Sequence, residues 1–458
     1  MDLQTTWGAL AQAAGGTLVR GCAQSPAGKI ATDSRTLRAG EVFLALKGPR
    51  FDAHDLLGAR PVREASGWIV RRGAPLPIEG PEHVLEVADT LAALSDIAAA
   101  HRSRFEVPVA AITGSNGKTT VKEMLRSALS QEGPVCANAG NFNNEVGLPL
   151  SVLELGRGHR FAVFEMGASH AGDIAALCRV ARPTLGVLTN IGSAHLEFFG
   201  SLEGTLKAKS ELLDALPARA PVVLNLDDMR LRTLLPRLGE RAVTFGTSKG
   251  ADVRLEHSPS RVRLNFSGRG SLPRGVLEPR LPIASRVHGL NAAAAAAAAA
   301  ALGLSKDAIG RGLALSASAP LRFQRIDHPS GAWFLIDAYN ANPDSMRASV
   351  ETFLDAAPAG ERILVLGDMK ELGPDSPGLH RELGRWIAGL GVGAVFLAGE
   401  LSQEIARGLR EAGAPFEVRH ARAPMDLLSE LRPRLRKGTS VLFKASRAVR
   451  LEELTAAL

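Results

Sequence analysis

Residues 107–120 read VPVAAITGSNGKTT, an apolar run that breaks into a loop of small and polar residues and ends in Lys118-Thr119-Thr120. Residues 107–112 have the composition of a buried strand, and residues 120–129 have helical periodicity. Gly114 and Gly117 let backbone N–H groups curl around an anion, and the start of the helix adds a favourable field. Lys118 adds a point charge, and the hydroxyl of Thr119 suits Mg²⁺. With Ser115, Asn116 and Thr120 completing the loop, the order strand, loop, helix predicts an ATP site at the edge of an α/β sheet. The full pattern G-x-x-x-x-G-K-[ST] would place glycine at position 112, where this chain has Ile112. A Gly-rich turn that merely caps a helix is therefore the competing reading.

A chain of 458 residues is too long for one core and predicts several domains. Hydrophobic content of 45% and charged content of 22% are those of an ordinary globular protein. The net charge of +7 suits an anionic ligand, but the basic residues are scattered and only 5% of residues are aromatic, which disfavours nucleic acid. Cys22, Cys136 and Cys178 form no C-x-x-C and cannot all pair, as in a reducing compartment. The opening MDLQTTWGALAQAAGG does not resemble a signal peptide, and the alanine-rich stretch 292–302 is too short to span a bilayer. A cytoplasmic protein without membrane insertion is expected.

Residues 106–318 repeat strand then helix, with strands expected at 107–112, 161–165, 184–189 and 221–225. That rhythm predicts a mainly parallel sheet whose ligands sit beyond the carboxyl ends of its strands. Glu165 ends one run, where a Mg²⁺ held by nucleotide phosphates would offset its burial; an exposed strand-end glutamate is the alternative. His195 follows Asn190-Ile191-Gly192-Ser193-Ala194 and suits either a metal or a structural role. Lys207 and Lys209 share an amphipathic helix, and periodicity does not separate them. Asn291 opens a run of ten alanines, where an N-cap and a closely packed helix are expected.

Residues 1–105 alternate short apolar runs (41–46, 67–70, 83–87) with turns and predict a small α/β domain. There Asp33-Ser34-Arg35 suits a phosphate or sugar hydroxyl, or simply a turn. From 319 onward strands are expected at 333–336, 362–366, 394–397 and 439–443, a second α/β domain of Rossmann-like character. Asp337-Ala338-Tyr339-Asn340-Ala341-Asn342-Pro343-Asp344 follows its opening strand, and capping by Asn342 competes with ligand binding.

TDSR (32–35), TGSNGKTT (113–120), NFNNEVGLP (141–149), EMG (165–167), TNIGSAHLE (189–197), HGLNAAAA (288–295), DAYNANPDSM (337–346), LGDMKELG (366–373) and KASR (444–447) jointly resemble the Mur ligases of peptidoglycan synthesis. The match covers nearly the whole chain, and the incomplete phosphate loop is the family's own variant. The resemblance implies three domains: 1–105 for the UDP-sugar-peptide, 106–318 for ATP, and 319–458 for the incoming amine. The form DAYNANPDSM, and the absence of D-N-P-R, point within the family to the addition of D-alanyl-D-alanine to UDP-N-acetylmuramoyl-tripeptide. Another member of the superfamily, including a folylpolyglutamate synthase, is the alternative, and so is an ATP-driven switch that ligates nothing.

The resemblance further implies roles. Lys118 would meet the β- and γ-phosphates, and Thr119 and Glu165 would hold a first Mg²⁺. His195 would hold a second metal together with Lys209, carbamylated in the A-K-[GS]-E pattern. Asn291 falls on the adenine side, Arg322 beside the phosphates and Asp337 near the ribose. Ser34, Arg35 and Asn144 would face the UDP-sugar substrate. Tyr339, Asn340, Asn342 and Asp344 would lie near the amine, with Lys444, Ser446 and Arg447 farther along. A monomer is expected. Ala53, Leu321 and Ala445 stand where the family has glycine, which puts local loop shape in doubt.

Overall fold

A computed structural model describes residues 5–193, 196–258 and 261–458. Among the described residues, besides a two-stranded ladder of Thr5–Thr6 with Pro26–Ala27, three larger sheets succeed one another along the chain, the first two sharing one continuous core cluster. The first has five strands, β1 (Thr17–Arg20), β2 (Ile30–Ala31), β3 (Val42–Leu44), β4 (Gly67–Arg71) and β5 (His83–Val87), in the order β1-β5-β4-β3-β2. Only β1 runs antiparallel.

The central sheet contains β6 (Val109–Thr113), β7 (Val135–Ala137), β8 (Phe161–Glu165), β9 (Leu185–Leu188), β10 (Val222–Asn225), β11 (Ala242–Gly246), β12 (Val253–Ser258), β13 (Arg261–Ser267) and β14 (Arg274–Leu277). Their order is β14-β13-β12-β11-β10-β9-β6-β8-β7, parallel from β12 to β7 and antiparallel through β13 and β14. Strand β6 is buried along its whole length, as a strand covered on both faces must be. Its register sets Ile112 beside Glu165 and Thr113 beside Leu188, so the loops leaving β6, β8 and β9 emerge together at one edge.

Helix α1 (Lys118–Leu129) follows the phosphate loop, α2 (Leu202–Ala215) is capped by Ser201, and α3 (Arg286–Ala301) carries the alanine run. Ser285 is the N-cap of α3, so Asn291 sits inside the helix rather than opening it as expected. The alanines of α3 are buried to the last turn against α1 and strands β11 and β12, where a backbone can approach closely only with methyl side chains.

The third sheet has β15 (Gln324–Asp327), β16 (Trp333–Ile336), β17 (Glu361–Gly367), β18 (Ala394–Ala398), β19 (Glu417–Ala421) and β20 (Thr439–Lys444), in the order β15-β16-β20-β17-β18-β19. All but β15 are parallel. Helix α4 (Pro343–Ala356) follows β16, capped by Asn342 in a capping box with Ser345. Among the described residues no helix is long and apolar enough to cross a membrane.

Candidate active site

The turn after β6 is built around two glycines. Gly114 takes φ +145° and Gly117 takes φ +82° as the residue capping α1. A Cβ on Gly114 would collide with Thr189, and one on Gly117 with the Asn291 carboxamide, so the loop lies pressed between the β9 edge and α3. Asn190 fixes it from one side, its carbonyl accepting the Ser115 N–H and its Oδ1 the Asn116 N–H, each at 2.9 Å. The first intrahelical bond of α1 is Val121 N–H to the Gly117 carbonyl. The amides from Gly117 to Thr120 are therefore left to face an anion.

The Lys118 ammonium reaches back to the Gly114 carbonyl at 2.9 Å, and burial lowers its pKa against the attraction of Glu165. Thr119 Oγ1 donates to Glu165 Oε2 at 2.6 Å, and Asn143 Nδ2 donates to Oε1 at 2.8 Å. Both oxygens of a carboxylate that is only 1% exposed are thus oriented. Asn143, which the sequence does not single out, is one of the two side chains that orient the Glu165 carboxylate. Asn144 accepts the Gly147 N–H through Oδ1 at 2.9 Å and lies beside Asn143 in the same loop.

Two cavities open here. One, of about 280 Å³, is lined by the loop from Ser115 to Thr120 together with Asn291, Arg322, Asp337, Asp344 and Lys444. The other, of about 500 Å³, is lined by Asn143, Asn144, Glu165, His170 and Tyr339 among others. Lys118, Arg322 and Asn340 border both, so the cavities meet at two cations. The Arg322 guanidinium lies 4.1 Å from the Tyr339 ring centre.

Several residues expected near the incoming amine have other partners. Asn342 exchanges side-chain hydrogen bonds with Asn116 of the phosphate loop, and Asp344 Oδ2 accepts from the N–H and the hydroxyl of Ser193 at 2.9 Å. Asn342 therefore ties the start of α4 to the phosphate loop, and Asp344 ties it to the loop after β9. Lys444 is buried against Asp337 Oδ2 at 2.7 Å and the Asn340 carbonyl at 2.6 Å, and it lines the nucleotide-loop cavity rather than a site farther along. Asp337 also accepts from the Ser349 hydroxyl. Ser446 is buried, its hydroxyl accepting the Lys370 N–H, while Arg447 pairs with Glu452.

Lys209 is 1% exposed and Lys207 is exposed, a distinction that helical periodicity alone does not make. Burial, reinforced by the charge of Lys118, pulls the Lys209 amine down to about 7. His195 lies outside the described residues. Ser34 and Arg35 line neither cavity, and Arg35 is bonded to Asp33. Of the three non-glycine substitutions, Ala53 and Ala445 have no positive φ, but Leu321 takes φ +58°, a conformation that costs an L-residue about 1–2 kcal/mol.

Residues 112–299 match the family model of the Mur ligase middle domain, and residues 321–447 that of the Mur ligase glutamate ligase domain. The UDP-N-acetylmuramoyl-tripeptide–D-alanyl-D-alanine ligase of Bacillus subtilis (strain 168) is 34% identical, over 93% of this chain and 92% of its own. A crystal structure of MurF from Acinetobacter baumannii aligns with a TM-score of 0.88 at 33% identity, covering 99% of this chain and 98% of that one. MurF ligase from Thermotoga maritima in complex with ADP aligns with a TM-score of 0.80 at 32% identity, covering 93% and 96%. Identity above 30% over nearly the full length of these relatives, with both family models matched, shows that the chain belongs to the Mur ligase family.

Proposed function

We propose that this chain is an ATP-dependent ligase that joins D-alanyl-D-alanine to UDP-N-acetylmuramoyl-tripeptide, releasing ADP and phosphate. The observation that carries the proposal is the meeting of two cavities at Lys118 and Arg322. A nucleotide in the first would present its γ-phosphate where a substrate carboxylate in the second arrives. The names of the full-length relatives supply the substrates.

A carboxylate and an amine do not condense in water, so the carboxylate must first be activated. Its oxygen attacks the γ-phosphorus and the bond to the ADP oxygen breaks, giving an acyl phosphate. Lys118 and Arg322 neutralise the charge of the transferring group, and the amides from Gly117 to Thr120 hold the phosphates in line. The dipeptide amine then attacks the acyl carbon, sheds a proton, and phosphate leaves. Tyr339 and Asn340, which line the second cavity, are assigned to the amine side. Ser446 and Arg447, which line neither cavity, are assigned to the dipeptide side.

The donor set fits Mg²⁺. Thr119 and Glu165 offer hard oxygens side by side, and Mg²⁺ commonly takes one or two protein ligands plus phosphate oxygens. Bound there, it supplies charge neutralisation to the phosphates. His195 and a carbamylated Lys209 are proposed for a second ion. A lysine amine near 7 is substantially neutral at physiological pH, as reaction with CO₂ requires. Asn291 is assigned to the adenine, Asp337 to the ribose, and Ser34, Arg35 and Asn144 to the UDP-sugar end. Residues 1–105, 106–318 and 319–458 are assigned to the UDP-sugar-peptide, ATP and dipeptide. One chain lines both cavities, which supports a working monomer, and the nucleotide-linked substrates support a cytoplasmic site.

Phosphate release with ATP and Mg²⁺ tests the reading when the two co-substrates are added separately and then together. Release that needs both, with a product heavier by one dipeptide, is expected. Release that needs a muramoyl-dipeptide and a free amino acid would move the chain to another step, and release that needs neither would remove the ligase assignment.

A further inference from the structure

Asn138 follows the last residue of β7 and is 2% exposed. The β7–β8 ladder ends at Ala137 opposite Val163, and beyond it the main chain of β7 no longer accompanies β8. Met166 gives its N–H to Ile112 on the β6 side, so the peptide groups of Glu165 face the side that β7 has left. The Asn138 carboxamide takes both. Its Oδ1 accepts the Glu165 N–H at 2.9 Å, and its Nδ2 donates to the Glu165 carbonyl at 2.9 Å.

The second proton of Nδ2 goes to the Phe142 carbonyl at 2.8 Å, which ties down the loop that carries Asn143. Asn143 in turn donates to Glu165 Oε1. The backbone of Asn138 is anchored by Lys122, fully buried, whose ammonium donates to the Asn138 carbonyl at 2.6 Å. One side chain therefore fixes the main chain of Glu165 and, through Phe142, the neighbour that orients its carboxylate.

We infer that Asn138 is a positioning residue for the divalent cation at Glu165, setting the carboxylate that receives the ion and coupling it to the Asn141–Asn144 loop of the larger cavity. The inference rests on the reading of Thr119 and Glu165 as ligands of Mg²⁺. An apolar side chain at 138 would leave three peptide groups unpaired, releasing the main chain of Glu165 and the loop that carries Asn143 so that the carboxylate is held less closely in place.

The test is binding rather than turnover: the melting temperature of the ADP complex is followed as Mg²⁺ is titrated, alongside ADP affinity in EDTA. In the parent protein Mg²⁺ should raise the melting temperature saturably; if it does not, the metal reading itself fails, whatever Asn138 does. Given that response, Asn138→Ala should raise the half-saturating Mg²⁺ concentration by about tenfold or more. Metal-free ADP affinity should stay within about twofold. Asn138→Thr, which retains one hydroxyl for three partners, should fall between, and it serves where the alanine variant does not fold. Unchanged half-saturation in a folded variant overturns the inference. Failure of both variants to fold assigns Asn138 to stability alone and overturns it too.

Discussion

His288 is 2% exposed, with its ring edge-on to Phe323 at 4.7 Å, and burial pushes its pKa down to about 4 despite the nearby Asp337. An unfolded histidine titrates near 6.5, so as pH falls the unfolded chain binds a proton that the folded one refuses. The stabilisation is therefore complete above about 6.5 and lost progressively toward about 4, a span of roughly 3 kcal/mol. His288→Asn should flatten the acid side of the urea-midpoint profile by about 2–3 kcal/mol between pH 7 and 4.5; an unchanged slope would locate acid sensitivity elsewhere. At Lys209 the same burial bears on the proposed carbamylation. Lys209→Ala should lose activity that bicarbonate does not restore, and ¹³C-labelled CO₂ should give a carbamate resonance in the parent only. Full activity in the variant would end that assignment. The sequence carries Lys118, Thr119 and Glu165 plainly because a phosphate loop and a strand end are local patterns. Asn138 and Asn143 are not legible in it, because an asparagine acts on whatever peptide the fold brings within about 3 Å. The same holds for Asn342 and Asp344, whose partners lie about 150 or more residues away.

Among the elements, α3 shows how far composition reaches. Ten consecutive alanines have no apolar face to read, yet Ala292 to Ala300 are buried all round. Its stability rests on close approach to α1, β11 and β12. Ala295→Leu should therefore destabilise by about 1–3 kcal/mol through overpacking, and Ala297→Gly by about 1 kcal/mol through helix propensity, both measured as urea midpoints. A leucine variant as stable as its parent would show slack that the packing does not suggest. The strands expected at 161–165 and 333–336 coincide with β8 and β16, since buried parallel strands are continuous apolar runs. The antiparallel pair β13 and β14 goes unread. Their outward positions carry Arg261, Arg263 and Arg274, and β14 is too short to display an alternation. The start of α3 is misjudged for a different reason: Ser285 and Asn291 are both good caps, and only the chain's approach from 283–285 decides between them.

At the scale of the whole molecule the two ends of the chemistry sit on different sheets, and the joint between them is small and polar. Asn116, in the phosphate loop, is clasped by Asn342 at the cap of α4, and in the first turn of the same helix Asp344 receives the N–H and hydroxyl of Ser193. The third domain thus grips the same loop that would hold the nucleotide phosphates. An acyl phosphate survives only where water is kept out, so the clasp ties the lifetime of that intermediate to closure. The Asp344 contact is solvent-exposed, so its two hydrogen bonds are discounted to about 1–2 kcal/mol, enough to change the closed fraction by about tenfold. Asp344→Ala should leave the fold and the melting temperature near the parent values. It should enlarge the radius of gyration of the ADP complex by small-angle scattering, and it should raise the ratio of ATP hydrolysed to product formed, because an opened junction admits water to the acyl phosphate. A variant that still couples one ATP to one product, with an unchanged radius, would show that closure is held by substrates rather than by this contact.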